Sequence, residues 1–415
     1  MPDFRILLIH PLSPPSHVRF FGAVGGLITG WQGDSYGRKH ALVTSISLMA
    51  ISTFLMGCLP SYEMAGWISP VLLIIVRLAQ GLSVGGQLMS SLVFTVEGHP
   101  RGRWGFYGAA VMCAANWGTL LGVLVSYAMR QRLSEEALAK WGWRVPFLSG
   151  IFILIPAGYL HYKCEHDEIA NHKDSANHIN PIKAAFSKNN RRSLISATLV
   201  PMLWAGGFYL TFVWMAIFMD SLVEPPVPNA FGINALSLLL TMCLLMPISG
   251  WLSDKFGVRR VMIIGGIGLT IFGPFGLFIV SRGKVVGAIG SQIAMGILLS
   301  LWGGPLTAWL CESFPAQHRL TSVSIGYDIA HALAGGLSPF IATVLVNNVS
   351  VSAPSLQYLL LGIVSLVGLF CAPSLVHGKE DVERSEDGDL ALTESAVGQA
   401  EDPEAGSKVA DKEIT

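Results

Sequence analysis

Eleven times this chain runs through a stretch of apolar residues, near 18–32, 42–58, 69–96, 106–128, 145–162, 194–218, 230–252, 261–280, 286–310, 323–345 and 356–372. A helix needs about 20 such residues to cross the roughly 30 Å of hydrocarbon in a bilayer, and most of the eleven reach that length. The reading is an all-α integral membrane protein. Composition agrees: 52% of residues are hydrophobic and 13% charged, against roughly 25% charged in soluble domains. The 45 glycines and 11 tryptophans suit helices that pack closely through small residues and carry aromatics at the interfaces. A formal net charge of zero argues against a nucleic-acid partner. The cysteines (Cys58, Cys113, Cys164, Cys243, Cys311, Cys371) are scattered singly without metal-ligand spacing, and read as small packing residues.

The first segment is the exception. About 14 residues at 1.5 Å each reach only some 21 Å, and His10 to His17, with Pro11, Pro14 and Pro15, cannot continue a lipid-facing helix. Residues 1–17 are therefore expected to be irregular, the first helix cut in half, and the chain truncated at its N-terminus. A five-span bundle is expected over 18–162, a central connection over 163–193 and a six-helix bundle over 194–376. Placing the central connection in the cytoplasm puts fourteen Lys and Arg residues on that side against six on the other, the asymmetry expected of a membrane protein. Residues 377–415, with twelve acidic and four basic side chains, read as a solvated, disordered cytoplasmic tail.

Two stretches 220 positions apart repeat one pattern: Gly30-Trp31-Gln32-Gly33-Asp34-Ser35-Tyr36-Gly37-Arg38-Lys39 and Gly250-Trp251-Leu252-Ser253-Asp254-Lys255-Phe256-Gly257-Val258-Arg259-Arg260. The glycines allow close approach and a sharp turn. Asp34 and Asp254, just past the end of an apolar run, are placed to cap the next helix and to pair with basic groups on a neighbour. Such an ion pair can make and break as two bundles rock. A second echo, at an offset of 215, joins Glu97…Pro100-Arg101 to Glu312…Pro315…Arg319. Glu97 and Glu312 are candidate partners for the basic pairs that follow Asp34 and Asp254. A duplicated pattern of this kind marks a transporter built from two related halves.

The doubled Gly-x3-Asp-x2-Gly-basic pattern resembles the signature of the major facilitator superfamily. Within it, Arg77-Leu78-Ala79-Gln80-Gly81-Leu82-Ser83-Val84-Gly85-Gly86 and Trp141-Gly142-Trp143-Arg144-Val145-Pro146-Phe147 are similar to the metabolite:proton symporters. Proline/betaine carriers are the nearest in pattern; carriers of shikimate, 2-oxoglutarate and citrate belong to the same group. The resemblance spans about Arg19 to Ser374. It implies twelve helices in two six-helix bundles, of which eleven are seen here, and a central site reached alternately from either side. This chain departs from the pattern at its front. It also carries Gln87 where the family usually has a Glu, and no coiled coil in its tail. Gln cannot titrate, so if that Glu takes part in proton coupling, coupling is altered or lost at that position.

Charge inside a membrane is costly, which makes the remaining polar residues informative. Arg77, a turn before Gln80, suits a carboxylate in bidentate geometry or a structural ion pair. Asp328 and His331, three apart on one helix face, could share and release a proton or form a plain hydrogen-bonded pair. Gln87, Asn116 and Trp117 offer cavity hydrogen bonds or packing. Trp204, Tyr209 and Trp214 fit either the aromatic cages that bind quaternary ammonium groups or ordinary packing. No paired-His metal motif, nucleophile elbow or Walker loop is present in the sequence, so neither an enzyme, nor a metal or cofactor, nor an ATP-driven pump is expected. The expectation is a secondary transporter in the plasma membrane, moving a small organic solute with protons by alternating access. Its rival is a non-transporting relative that serves as a membrane sensor or scaffold.

Overall fold

A computed structural model describes residues 16–163 and 180–373. The sequence before Ser16, residues 164–179 of the central connection (Cys164 among them) and the acidic tail 377–415 lie outside the described residues. Among those described, the structure is helical without a strand. Eleven long helices follow in order. They are α1 (Ser16–Tyr36), α2 (Arg38–Cys58), α3 (Ile68–Glu97) and α4 (Trp104–Arg132), then α5 (Lys140–Lys163), α6 (Arg191–Leu222) and α7 (Ala230–Phe256). The last four are α8 (Val258–Val280), α9 (Val285–Glu312), α10 (Ala316–Asn348) and α11 (Ser355–Phe370). Nine of these are long and apolar enough to cross a membrane; α1 and the shorter α11 complete the set.

Several boundaries move outward from the sequence expectation, for one reason. Hydropathy ends a span at its first charges, whereas a helix continues as long as those charges find partners. Thus α1 starts at Ser16, inside the stretch expected to be irregular, and has 21 residues, about 31 Å of helix. Its polar end, Gln32 to Asp34, remains helical. α2 begins at Arg38, which is 2% exposed, and α3 and α9 run through to Glu97 and Glu312. The central connection also narrows. α5 extends to Lys163, a short helix forms over Pro181–Ala185 with Asn180 accepting from the Ile182 amide, and α6 starts at Arg191.

α1, α2 and α3 pack together and α5 lies on α2; in the second half α8 packs on α9 and α11, and α6 on α10 and α11. The halves meet chiefly along two seams, α1 against α10 and α7 against α4, with α9 also packed on α4. Both belong to a single unit that ends at Pro373. Cys113, Cys243 and Cys311 are buried in the bundles, while Cys58 and Cys371 are exposed.

Parts of α6, α7 and α10 are wound as π-helix: Tyr209–Trp214, Leu239–Leu244 and His331–Gly335. Such turns free backbone carbonyls from the helix ladder. In α6 two neighbours take them up. Gln292 of α9, fully buried, donates to the Thr211 carbonyl at 2.8 Å and to Asn234 Oδ1 at 2.6 Å, and Asn234 of α7 donates to the Phe212 carbonyl at 2.9 Å. Gln292→Leu removes both of its bonds, each worth about 0.6–2 kcal/mol between membrane helices. The expected result is a thermal unfolding midpoint a few degrees lower, read by heating the purified protein in detergent; an unchanged midpoint would refute the clamp.

Candidate functional site

The duplicated motif is the last turn of a helix rather than a loop beyond it. Asp34 lies two residues before the end of α1 and Asp254 two before the end of α7. Gly37 and Gly257, at φ 110° and 97°, then turn the chain into α2 and α8 through backbone that side-chain-bearing residues rarely adopt.

Neither aspartate caps the helix that follows it in sequence, as expected above. Each caps a helix of the other half. Asp34 accepts from the Thr321 amide at 2.7 Å, from the Thr321 hydroxyl, and from the Leu320 amide at 3.3 Å, all near the start of α10. Asp254 accepts from the Gly105 amide at 2.7 Å and the Phe106 amide at 2.9 Å, at the start of α4. These amides lie in the first turn of the α-helical segments that begin at Arg319 and Trp104. Backbone donors there lack an acceptor in their own helix, and the positive end of the helix dipole attracts a carboxylate. Gly30 and Gly250 make the approach possible. A Cβ on Gly30 would stand 2.7 Å from Thr321 Cα, and one on Gly250 would collide with the Gly105 carbonyl.

The two latches are built differently around that shared feature. At the α1–α10 seam, Arg38 pairs with Asp34, donates from Nε to Glu97 at 2.9 Å, and donates from Nη2 to the Ala316 carbonyl at 2.7 Å. Arg319 donates to the same Glu97 at 2.6 Å and to the Phe314 carbonyl at 3.1 Å, and its guanidinium lies 5.3 Å over the Trp104 ring. Glu97 therefore bridges arginines from both halves. At the α7–α4 seam Arg259 forms no ion pair among the described residues: it donates to the Pro373 carbonyl at 2.7 Å. Glu312 is half-buried and does not take the role that Glu97 has with Arg38 and Arg319. Lys39 is half-buried, Arg101 and Arg260 are exposed, and Lys255 lies 5.5 Å over Trp251.

The polar residues within the spans separate into distinct places. Arg77 reaches Gln80 Oε1 at 3.4 Å, and Gln80 donates to Thr53 at 3.3 Å, all in the first half. Gln87 is half-buried on α3. Trp204 donates to the Tyr327 hydroxyl at 3.2 Å and Trp214 to Thr343 at 3.0 Å, and Trp214 stacks on Phe218 at 4.6 Å. Tyr209 meets Phe208 edge-on at 5.8 Å. The two indoles are thus bonded to α10.

One relation escaped the sequence reading. Asp328 and His331 stand 215 positions beyond Cys113 and Asn116, the offset of the second repeat. Their local bonding repeats too. Asn116 donates to the Met112 carbonyl at 2.9 Å, and His331 Nδ1 lies 3.0 Å from the Tyr327 carbonyl, each four residues back along its helix. Asp328 is 8% exposed, and its Oδ2 has no hydrogen-bond partner among the described residues. Cys113, its counterpart, donates to the Cys243 carbonyl across the α4–α7 seam at 2.9 Å. The signal was available in the offset between Glu97 and Glu312, applied one helix further along. The amides of α4 and α10 that donate to the caps gave no signal, because nearly every residue carries one.

Comparison with known proteins gives a consistent result. The family model described as Major Facilitator Superfamily matches residues 19–237 and 226–399. A proline/betaine transporter of Salmonella typhimurium is 29% identical over 367 residues, which cover 85% of this chain and 72% of that protein. One from Escherichia coli (strain K12) is 28% identical over 361 residues, 83% of this chain and 70% of that protein. Among solved structures, the proton:xylose symporter XylE bound to 6-bromo-6-deoxy-D-glucose matches with TM-score 0.65 and 18% identity, over 85% of this chain and 83% of its own. FucP in its outward conformation matches with TM-score 0.65 and 16% identity, over 90% and 91%.

Proposed function

Since the chain belongs to the major facilitator superfamily, a family of membrane transporters rather than enzymes, we propose that it is a proton-coupled symporter for a small organic solute. The solute class is a proline- or betaine-like osmolyte, with an organic acid second. The observation that carries this reading is the crossed pair of helix caps, Asp34 on α10 and Asp254 on α4. Both latches are shut at once, so the two halves are held together at one end of the bundle. Alternating access requires such contacts to break as a set and re-form.

The latches lie on the cytoplasmic face, because the excess of Lys and Arg gathers in the loops beside them. The membrane is the plasma membrane. Arg77 supplies a fixed positive charge one turn from Gln80, where a carboxylate common to amino acids, betaines and organic acids would be held. Gln87, Asn116, Asp328 and His331 line the path.

Uptake of radiolabelled proline and glycine betaine, in cells lacking their own osmolyte carriers, tests this directly. The expected result is energised accumulation of at least one solute, abolished by Arg77→Ala with the variant still present in the membrane. Normal uptake by that variant removes Arg77 from the substrate path. Integration into the membrane with no uptake of either osmolyte, or of small organic acids, would favour the non-transporting reading that Gln87 also supports.

A further inference from the structure

The carboxyl of Asp328 sits where the two halves touch. Were a Cβ placed on Gly26 of α1, it would overlap Asp328 Oδ2 and stand 2.9 Å from Asp328 Cγ, with the Gly85 carbonyl of α3 at 3.4 Å. The acid of one half is thus seated in a notch left by a missing side chain in the other. Its Oδ2 is buried and accepts no hydrogen bond from the described residues. The groups able to answer its charge are few. α1 from Gly22 to Thr29 and α3 from Gly81 to Gly86 contain no ionisable residue. Its own helix brings Tyr327 and His331, whose rings stack at 3.9 Å, and α6 brings Tyr209 up to Tyr327.

Ionised, the carboxyl would hold its Oδ2 against a bare Cα and an apolar helix face, with the water lost there not replaced. A neutral carboxyl fits the same seat at far lower cost. The matching position at the other seam supports this view, since it holds Cys113, a neutral side chain that carries a proton and donates it to a carbonyl across the interface. With Asp328 neutral, both seams would close over a proton-bearing side chain at one repeat-equivalent position. Only Asp328 of the two readily loses its proton once water reaches it.

From this geometry we infer that Asp328 is the group at which the transported proton is bound and released, and that the Gly26 notch makes closure of the α1–α10 seam depend on that proton. The carboxylate takes one proton from water on the side to which the site is open, keeps it while the seam is closed, and returns it to water on the other side. No other bond changes. This inference rests on the proton-coupled reading above, and it shifts the emphasis from an Asp328–His331 pair to Asp328 and Gly26.

The test has two arms. In the infrared spectrum of the purified protein in lipid nanodiscs at neutral pH, a carbonyl band of a buried, protonated carboxyl is expected. That band should be lost in Asp328→Asn, which keeps the shape of the side chain, and kept at shifted frequency in Asp328→Glu. If Asp328→Asn leaves the band unchanged, the inference is overturned. In proteoliposomes, the same Asn variant should lose accumulation driven by a pH gradient and keep exchange of proline or glycine betaine across the membrane. Gradient-driven accumulation equal to wild type would also overturn it. Should the wild-type protein move neither solute, the substrate reading fails and the infrared band alone decides for or against Asp328.

Discussion

Replacing Glu97 with Gln is expected to open the α1–α10 latch while the α4–α7 latch stays shut. Glu97 accepts from Arg38 and Arg319 together, and those guanidiniums are only 2% and 3% exposed. Without its charge, the carboxylate bridge between two buried cations of opposite halves is lost, while Asp34 still pairs with Arg38. Removing one member of a buried ionic network costs about 3–5 kcal/mol. Opening relieves that cost by returning the arginines to water, so the closed state should lose roughly 100-fold to several thousand-fold in population relative to the open one. Hydrogen exchange reads this locally. The amides of Leu320 and Thr321, held by Asp34, should lose protection, while Gly105 and Phe106, held by Asp254, should keep theirs. Glu312→Gln is the matched comparison and should change neither pair, since Arg259 is bonded to Pro373 instead. Unaltered exchange at Leu320 and Thr321 in Glu97→Gln would show that the bridge does not hold the latch.

Wedging the second seam should be as severe by a different route. Gly250 faces α4 where any Cβ would meet the Gly105 carbonyl and would stand 2.5 Å from the Ala109 methyl. Gly250→Leu fills that contact with four carbons. Overpacking a fixed interior costs about 1–3 kcal/mol, but here the interface can part instead of straining. The expected outcome is a carrier that folds and reaches the membrane, takes up no solute, and exchanges the Gly105 and Phe106 amides quickly. Gly290, where a Cβ meets nothing within 4 Å, provides the control: Gly290→Leu should transport as wild type. Equal uptake by the two leucine variants would sink the idea that close approach at Gly250 shuts the gate.

Much of this architecture was legible because bilayer chemistry narrows the choices. The apolar runs located the eleven long helices of the described residues, and the two offsets, 220 and 215, exposed the internal repeat. What misled was reading a charge as the end of a helix. Asp34, Arg38 and Glu97 are polar by type yet buried by partnership, and hydropathy responds to type alone. The caps were illegible for another reason: the Thr321 and Gly105 amides belong to residues that are ordinary in every other respect. Gln292 and Asn234 could have been flagged, as polar residues deep in apolar spans. Their purpose became visible only once the π-turn of α6 showed which carbonyls lacked partners.

The reciprocal caps have a consequence for how such a chain can change. In a two-fold homodimer one patch meets its own copy, so each substitution alters both contacts at once. This chain carries the same geometry within a single polypeptide, with a donor end and an acceptor end in each half. Fusion removes the coupling between the copies. Arg38 can bind Glu97 while Arg259 binds Pro373, and Asp328 can stand where its counterpart is Cys113. One gate is thereby free to specialise in ion chemistry while the other keeps to plain mechanical closure, a division of labour that no symmetric pair could reach by mutation.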